Sequence, residues 1–395
     1  MAPATDSRSG YDVDGAETRA GDNRRLIEQV IEQHVTERAA QWFPDFRGPP
    51  TVRLRRVSSR PRSVLFAVTV KDGFQERRVL AKVRRGEPAP VTVERSGGRP
   101  RLSADTPSAS ELTGLEYDGL RSIFRTFGTT GSSFGAIRPL DHLAAENTIL
   151  MDYVEGRTLR QILVDQSRLS PHRRSVRRRD PENVLQQAGA WLRTFQQSMP
   201  HHSLPARQPT RQDVVDRFDA YHEFLTTRLG ASSFGDLARR GADLAEDVLP
   251  DQLPMAVGHG DYAPRNVLVS EDGRLTVFDP MPRWVVPCLE DLCRFLVGIR
   301  LLGLQLHTHG VAYRRCELEH YEQQVIRGYY AEGPVPVAQL RCYELLIMLD
   351  KWSALVDMSH QGWRARVRTM SIELATGYLR GQAQRLLDLS ASSTP

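Results

Sequence analysis

Lysine is nearly absent from this chain of 395 residues, whose basic charge is carried by 50 arginines and only three lysines, Lys71, Lys82 and Lys351. Where a plain positive charge sufficed, the sequence uses arginine. A retained lysine is therefore more informative than usual, and Lys82 within "ERRVLAKVRRG" invites a reason specific to a compact ammonium. Long apolar runs are missing as well. Even "RFLVGIRLLGLQL" (294–306) is cut by Arg300 and falls short of the roughly 18–20 apolar residues of a spanning helix, so no membrane span is expected. The opening "MAPATDSRSGYDVDGAETRAGDNRR" lacks the apolar core of a signal peptide, so residues 1–24 read as a disordered polar tail and the expected location is cytoplasmic. Four cysteines without paired short spacings exclude a zinc site or a disulfide scaffold and read as reduced packing residues.

The 40% apolar and 26% charged composition is that of a globular protein long enough for two cores. "RRLIEQVIEQHVTERAAQWF" spaces its apolar residues as one face of a helix. "TVRLRRV" (51–57), "SVLFAVTV" (63–70) and "RRVLAKVRR" (77–85) then read as three successive antiparallel strands. A Ser-, Gly-, Pro- and Arg-rich loop leads to the helical pattern "SASELTGLEYDGLRSIFRTF", and a hairpin-like pair follows around "AIRPLDHL" and "NTILMDYV". Beyond residue 155 nearly every segment has helical periodicity, and no internal repeat is apparent. The expected class is α+β, with an N-terminal antiparallel sheet and one key helix over 25–155 and a mostly helical part over 156–395.

One stretch breaks the helical pattern, "VGHGDYAPRNVLVSEDGRLTVFDP" (257–280). "NVLVS" and "RLTVFD" are short β-type runs around "EDGR", and Asp-Gly is a strong two-residue hairpin signal. With Asp272 and Gly273 as the turn, Asn266 faces Asp279, their Cβ atoms about 5 Å apart. Carboxylate and amide oxygens are hard ligands suited to Mg²⁺, which takes one or two protein groups and fills its shell with water and phosphate oxygens. Asp261, in a loop that Pro264 keeps from being helical, is left beside such a centre to orient a hydroxyl and accept its proton.

This pattern, H-G-D-x-x-x-x-N with an aspartate 13 residues later, resembles the catalytic loop and metal site of the aminoglycoside phosphotransferase and choline kinase-like family. These are small-molecule relatives of the protein kinases with the same two-lobed fold. The matching residues are His259, Gly260, Asp261, Asn266 and Asp279. The resemblance extends over about 50–300 and implies ATP and Mg²⁺ as cofactors. It implies that Lys82 holds the α and β phosphates, with Glu116 as its helix partner and Glu111 as a competitor for that role. It further implies that Met151 and Tyr153 in "MDYVEGRTL" border the adenine site, and that Asp291 in "LEDLCRFL" braces the catalytic loop, with His259 in support. No G-x-G-x-x-G joins the first two strands. "VSSRPRS" stands there, leaving the N–H groups of Ser58, Ser59 and Arg62 and the side chains of Arg60 and Arg62 as phosphate contacts while Pro61 offers no N–H.

A protein kinase is disfavoured. The 12 residues from Asp279 to Asp291 leave no room for an activation loop, and Gly260 stands where H-R-D has arginine. Past residue 285 the chain has 11 acidic and 12 basic residues without an acidic cluster, which argues against a polycationic acceptor and for a neutral or anionic hydroxylated one, such as a sugar, glycoconjugate or natural product. The alternatives are an antibiotic-resistance kinase for aminoglycosides or macrolides and, in another class, a pseudokinase scaffold. "SPHRRSVRRRDPE" (170–182) reads as a solvated loop, with docking of an anionic substrate as the second reading. Without interleaved aromatics it points to no nucleic-acid partner. The expected partner is a small hydroxylated molecule, and the oligomeric state stays open.

Overall fold

The computed structural model describes residues 13–60, 62–86, 100, 107–128, 133–171, 181–200, 204–303, 305–306, 308–359 and 365–391. They fall into two compact units, Met1–Glu87 with Pro139–Tyr153, and Pro88–Arg138 with Val154–Pro395.

In the first unit, α1 (Val13–Trp42) precedes β1 (Thr51–Arg60), β2 (Ser63–Lys71) and β3 (Glu76–Arg84), and β5 (Pro139–Leu143) and β6 (Thr148–Asp152) complete a sheet in the order β1-β2-β3-β6-β5. All of its neighbouring strands are antiparallel, as alternation in the sequence led one to expect. Val64, Phe66, Val68 and Val70 on β2 and Val79, Ala81 and Val83 on β3 bury one face with Ile31, Val35 and Ala39 of α1. The helix begins at Val13, before the amphipathic pattern does.

The second unit begins with α2 (Ala109–Phe127) and β4 (Phe134–Gly135), continues through β7 (Arg157–Thr158), α3 (Leu159–Asp165), α4 (Pro181–Ser198), α5 (Arg211–Leu229) and α6 (Ala231–Val248), and reaches β8 (Met255–Val257). A 3₁₀ turn (Pro264–Asn266), β9 (Val267–Val269), β10 (Leu275–Val277) and β11 (Val285–Pro287) follow, and then α7 (Leu289–Arg300), α8 (Arg315–Tyr330), α9 (Val337–Ser359) and α10 (Ala365–Ala391). Its strands form a small sheet, β4-β10-β9-β7, and a β11-β8 pair. The expected α+β class is thus observed, with ten helices among the described residues. None of these is long and apolar enough to cross a membrane. Most of the arginine run 170–182 lies outside the described residues.

Candidate active site

An aromatic stack fixes the loop after β8. Tyr262 is fully buried, stacks on Trp191 of α4 at 5.6 Å and on Phe295 of α7 at 4.8 Å, and donates its hydroxyl to the Ala188 carbonyl at 2.7 Å. Trp191 in turn stacks on Phe127 of α2 at 5.2 Å. Such rings each bury a large area and restrict orientation, so the residues beside Tyr262 are carried on a rigid base. Gly260 answers a second need. Its φ is +81°, and an added Cβ would stand 2.6 Å from the Met281 carbonyl oxygen. A side chain at this position meets both left-handed strain and backbone, which accounts for glycine where protein kinases have arginine. The Met281 N–H donates to the His259 carbonyl at 2.7 Å, tying the segment before Asp261 to the segment after Asp279.

Asn266, at the end of the 3₁₀ turn, donates its Nδ2 to the Asp261 carbonyl and to Asp261 Oδ2, both at 2.8 Å. The amide thereby turns its donor end to Asp261 and leaves its oxygen as the end a cation can use. Arg265 donates to Asp261 Oδ1, in a pair whose side chains are 48% and 41% exposed, so solvent weakens it.

The hairpin register differs from the expected one. Val267 pairs with Val277 and Leu268 with Thr276, so Asn266 stands opposite Phe278, whose N–H donates to its carbonyl at 3.0 Å. The facing of Asn266 and Asp279 does not form. The cause is a longer turn, in which Ser270 N–H reaches the Arg274 carbonyl at 3.1 Å and Glu271, Asp272 and left-handed Gly273 make a three-residue loop. Asp272 stabilises that loop by accepting from Ser270 Oγ and the Arg274 N–H. Asp279 has φ +57°, which ends the strand geometry at that residue, so strand alternation no longer dictates the side of its carboxylate.

His259 packs at the head of the Asp261 loop. Its ring is fully buried and edge-on to Trp191, Phe195 and Tyr262, and its Nδ1 faces the Asp261 N–H at 3.4 Å. Burial pushes the imidazole pKa down to about 4, against the opposing pull of the Asp261 and Asp279 carboxylates, so the ring is neutral near pH 7. Asp291 of α7 accepts from the His259 N–H. Burial first, and Glu290 next, raise its pKa to about 6, while Arg294 and the His259 and Gly260 N–H groups hold it lower. Glu290 itself bonds Arg207 and Arg294.

On the first unit, Lys82 is 7% exposed on β3, between Leu65 of β2 and Ile149 of β6. The β1–β2 connection is tight, with Arg60 paired to Ser63 and a register shift between Arg56 and Ser58. Ser59 Oγ there accepts from Arg85 at 3.0 Å and the Arg62 carbonyl accepts the Arg85 N–H at 3.0 Å, which adds Arg85 to this basic end. Met151 is buried in the ladder, and the Tyr153 N–H donates to the Arg78 carbonyl at 3.1 Å, so that donor is committed within the unit. On the second unit, Glu111 closes a capping box with Ser108 at the start of α2, whereas Glu116 is 1% exposed. The S-x-x-E pattern at Ser108 already carried that distinction in the sequence.

Sequence reasoning missed the surroundings of Asp261 on the other side. Asp261, Arg160, Arg265, Arg294 and Lys351 line one cavity of about 230 Å³ within the second unit, with Gly298 and Leu302 among its apolar wall. Only the scarcity of lysine hinted at Lys351.

Residues 135–313 match the model of the phosphotransferase enzyme family. Compared by sequence with curated proteins, the chain has no match. Among solved structures, an ethanolamine kinase from Plasmodium vivax aligns with a TM-score of 0.51 at 9% identity, over 85% of this chain and 84% of that one. A thermostable mutant of aminoglycoside phosphotransferase APH(4)-Ia, in ternary complex with AMP-PNP and hygromycin B, aligns at 0.52 and 15% identity, over 91% of this chain and 99% of that one. The fold is therefore kinase-like, and residues 135–313 are similar to the phosphotransferase enzyme family.

Proposed function

We propose that this protein is an ATP-dependent kinase that phosphorylates a hydroxyl of a small molecule. The observation that carries this reading is the fixed Asp261 loop, in which the Asn266 amide donates to both the carbonyl and Oδ2 of Asp261 at 2.8 Å and the Met281 N–H ties His259 to the segment after Asp279. Asp261 orients the acceptor hydroxyl and takes its proton as the acceptor oxygen bonds to the γ-phosphorus. The bond from that phosphorus to the β–γ bridging oxygen breaks, and ADP leaves. The Asn266 amide holds Asp261 in place, and Asn266 Oδ1 and the Asp279 carboxylate are the hard oxygens that would hold Mg²⁺ in preference to a softer metal. When bound, Mg²⁺ neutralises phosphate charge. His259, neutral and packed edge-on against three aromatics, shapes the loop without contributing charge. Lys82, Glu116, Ser59, Arg62, Met151 and Tyr153 keep the nucleotide-binding roles that the resemblance implies, and Asp291 braces the loop through the His259 N–H.

The test is ADP release from Mg·ATP by the full chain across a panel of sugars, amino alcohols, sugar phosphates, sugar acids, aminoglycosides and macrolides. The expected result is acceptor-dependent ADP release that Asp279→Ala reduces by at least ~100-fold, the scale of a lost electrostatic clamp on the transferring group. Acceptor-dependent turnover that is indifferent to Asp279→Ala and to chelation of Mg²⁺ contradicts the assignment.

A further inference from the structure

The cavity beside Asp261 has an unbalanced charge. Four cationic side chains line it, Arg160, Arg265, Arg294 and Lys351, against one carboxylate, Asp261. The other carboxylates that act on Arg294, those of Glu290, Asp291 and Asp350, stand outside this lining. Asp261 is engaged by Arg265, and the single carboxylate of Glu290 serves both Arg207 and Arg294. Arg160 is exposed at the edge of α3. Lys351 stands on α9 next to Asp350, a carboxylate that acts on both Lys351 and Arg294 and accepts from Tyr221 at 2.9 Å. Burial first and Arg294 next push the Lys351 pKa down, against the opposing pull of Asp350 and Asp261. A cleft lined by one sign of charge with apolar walls concentrates and orients ligands of the other sign.

We infer that the acceptor bound beside Asp261 is an anionic small molecule, carrying a phosphate or a carboxylate on the same skeleton as the hydroxyl to be phosphorylated. This rests on the kinase reading above and narrows it. Arg160 and Lys351 receive the anionic group, while Arg265 and Asp261 stand next to the hydroxyl. Arginine suits planar, bidentate recognition of either anion, and the lysine acts as a point charge. A polycation entering the same cavity meets four like charges.

The test is calorimetric titration of the full chain saturated with Mg·ADP. The probes are inorganic phosphate, acetate, and matched sets on one skeleton: glycerol with glycerol 3-phosphate, glucose with glucose 6-phosphate and glucuronate, and kanamycin as the polycation. The expected result is that phosphate-bearing or carboxylate-bearing members bind at least ~10-fold tighter than their neutral partners, and the two arms identify which anion is preferred. Lys351→Met removes most of that preference, Lys351→Arg retains it, and Arg160→Ala, at an exposed position, weakens it. Equal or undetectable binding of all anionic probes, tightest binding of kanamycin, or a preference unchanged in Lys351→Met overturns the inference while leaving the kinase reading in place. Failure of the chain to bind Mg·ADP at all sinks the kinase reading, and this inference with it.

Discussion

His259 and Asp291 are joined through a backbone hydrogen bond yet respond oppositely to pH. The His259 pKa falls from 6.5 to about 4 on folding, so between these values the unfolded chain holds a proton that the folded chain does not. Its stabilising effect is complete above about pH 6.5 and is lost as pH falls toward 4. Asp291 rises from 3.8 to about 6, so its effect is complete below about 3.8 and is lost as pH rises through 6. In the natural protein the two slopes largely cancel between pH 4 and 6. Asp291→Asn leaves the histidine slope alone, up to about 1.4 kcal/mol per pH unit. Denaturant unfolding at pH 4.5 and 6.5 is expected to show a larger acid loss in this variant than in the natural protein; equal losses contradict the paired account.

At the scale of elements, much of the site was legible because its signals are local. The Lys82 strand, the hairpin after Asn266 and the loop before it follow from alternation, Asp-Gly and proline. The register was not legible. Both a two-residue and a three-residue turn put Asp272 and Gly273 at the tip, and which one forms depends on whether Glu271 joins the loop, a choice made by the Ser270–Arg274 and Asp272–Arg274 hydrogen bonds. One residue of slip removed the expected facing of Asn266 and Asp279. Helix α2 shows a second contact hidden from the sequence. An added Cβ at Gly119 would lie 2.9 Å from Pro282 Cδ and 3.0 Å from Pro280 Cγ, directly after Asp279. Gly119→Ala is expected to cost about 1–3 kcal/mol through overpacking, despite alanine's better helix propensity, and to weaken Mg·ADP binding by moving the Asp279 segment. A denaturant midpoint at or above that of the natural protein would show that the two prolines yield freely.

For the whole molecule, composition lacked resolution. The near-even count of acidic and basic residues past 285 argued against an acidic acceptor pocket, yet it could not disclose that Arg160, Arg294 and Lys351, from three separate helices, meet beside Asp261. Such clusters come from tertiary packing, as does the aromatic stack from Phe127 through Trp191 and Tyr262 to Phe295 that holds the loop. The fold class, by contrast, was legible from the switch between strand and helix periodicity near residue 155.

The most direct measurement is the rate of phosphoryl transfer by Asp261→Asn, with the best acceptor from the panel, alongside its Mg·ADP affinity. The substitution keeps the shape of the side chain but removes the proton acceptor. The account predicts a fall in kcat of at least ~100-fold, within the range of positioned general bases, with Mg·ADP affinity changed by less than about 3-fold. Near-normal kcat in Asp261→Asn would contradict it.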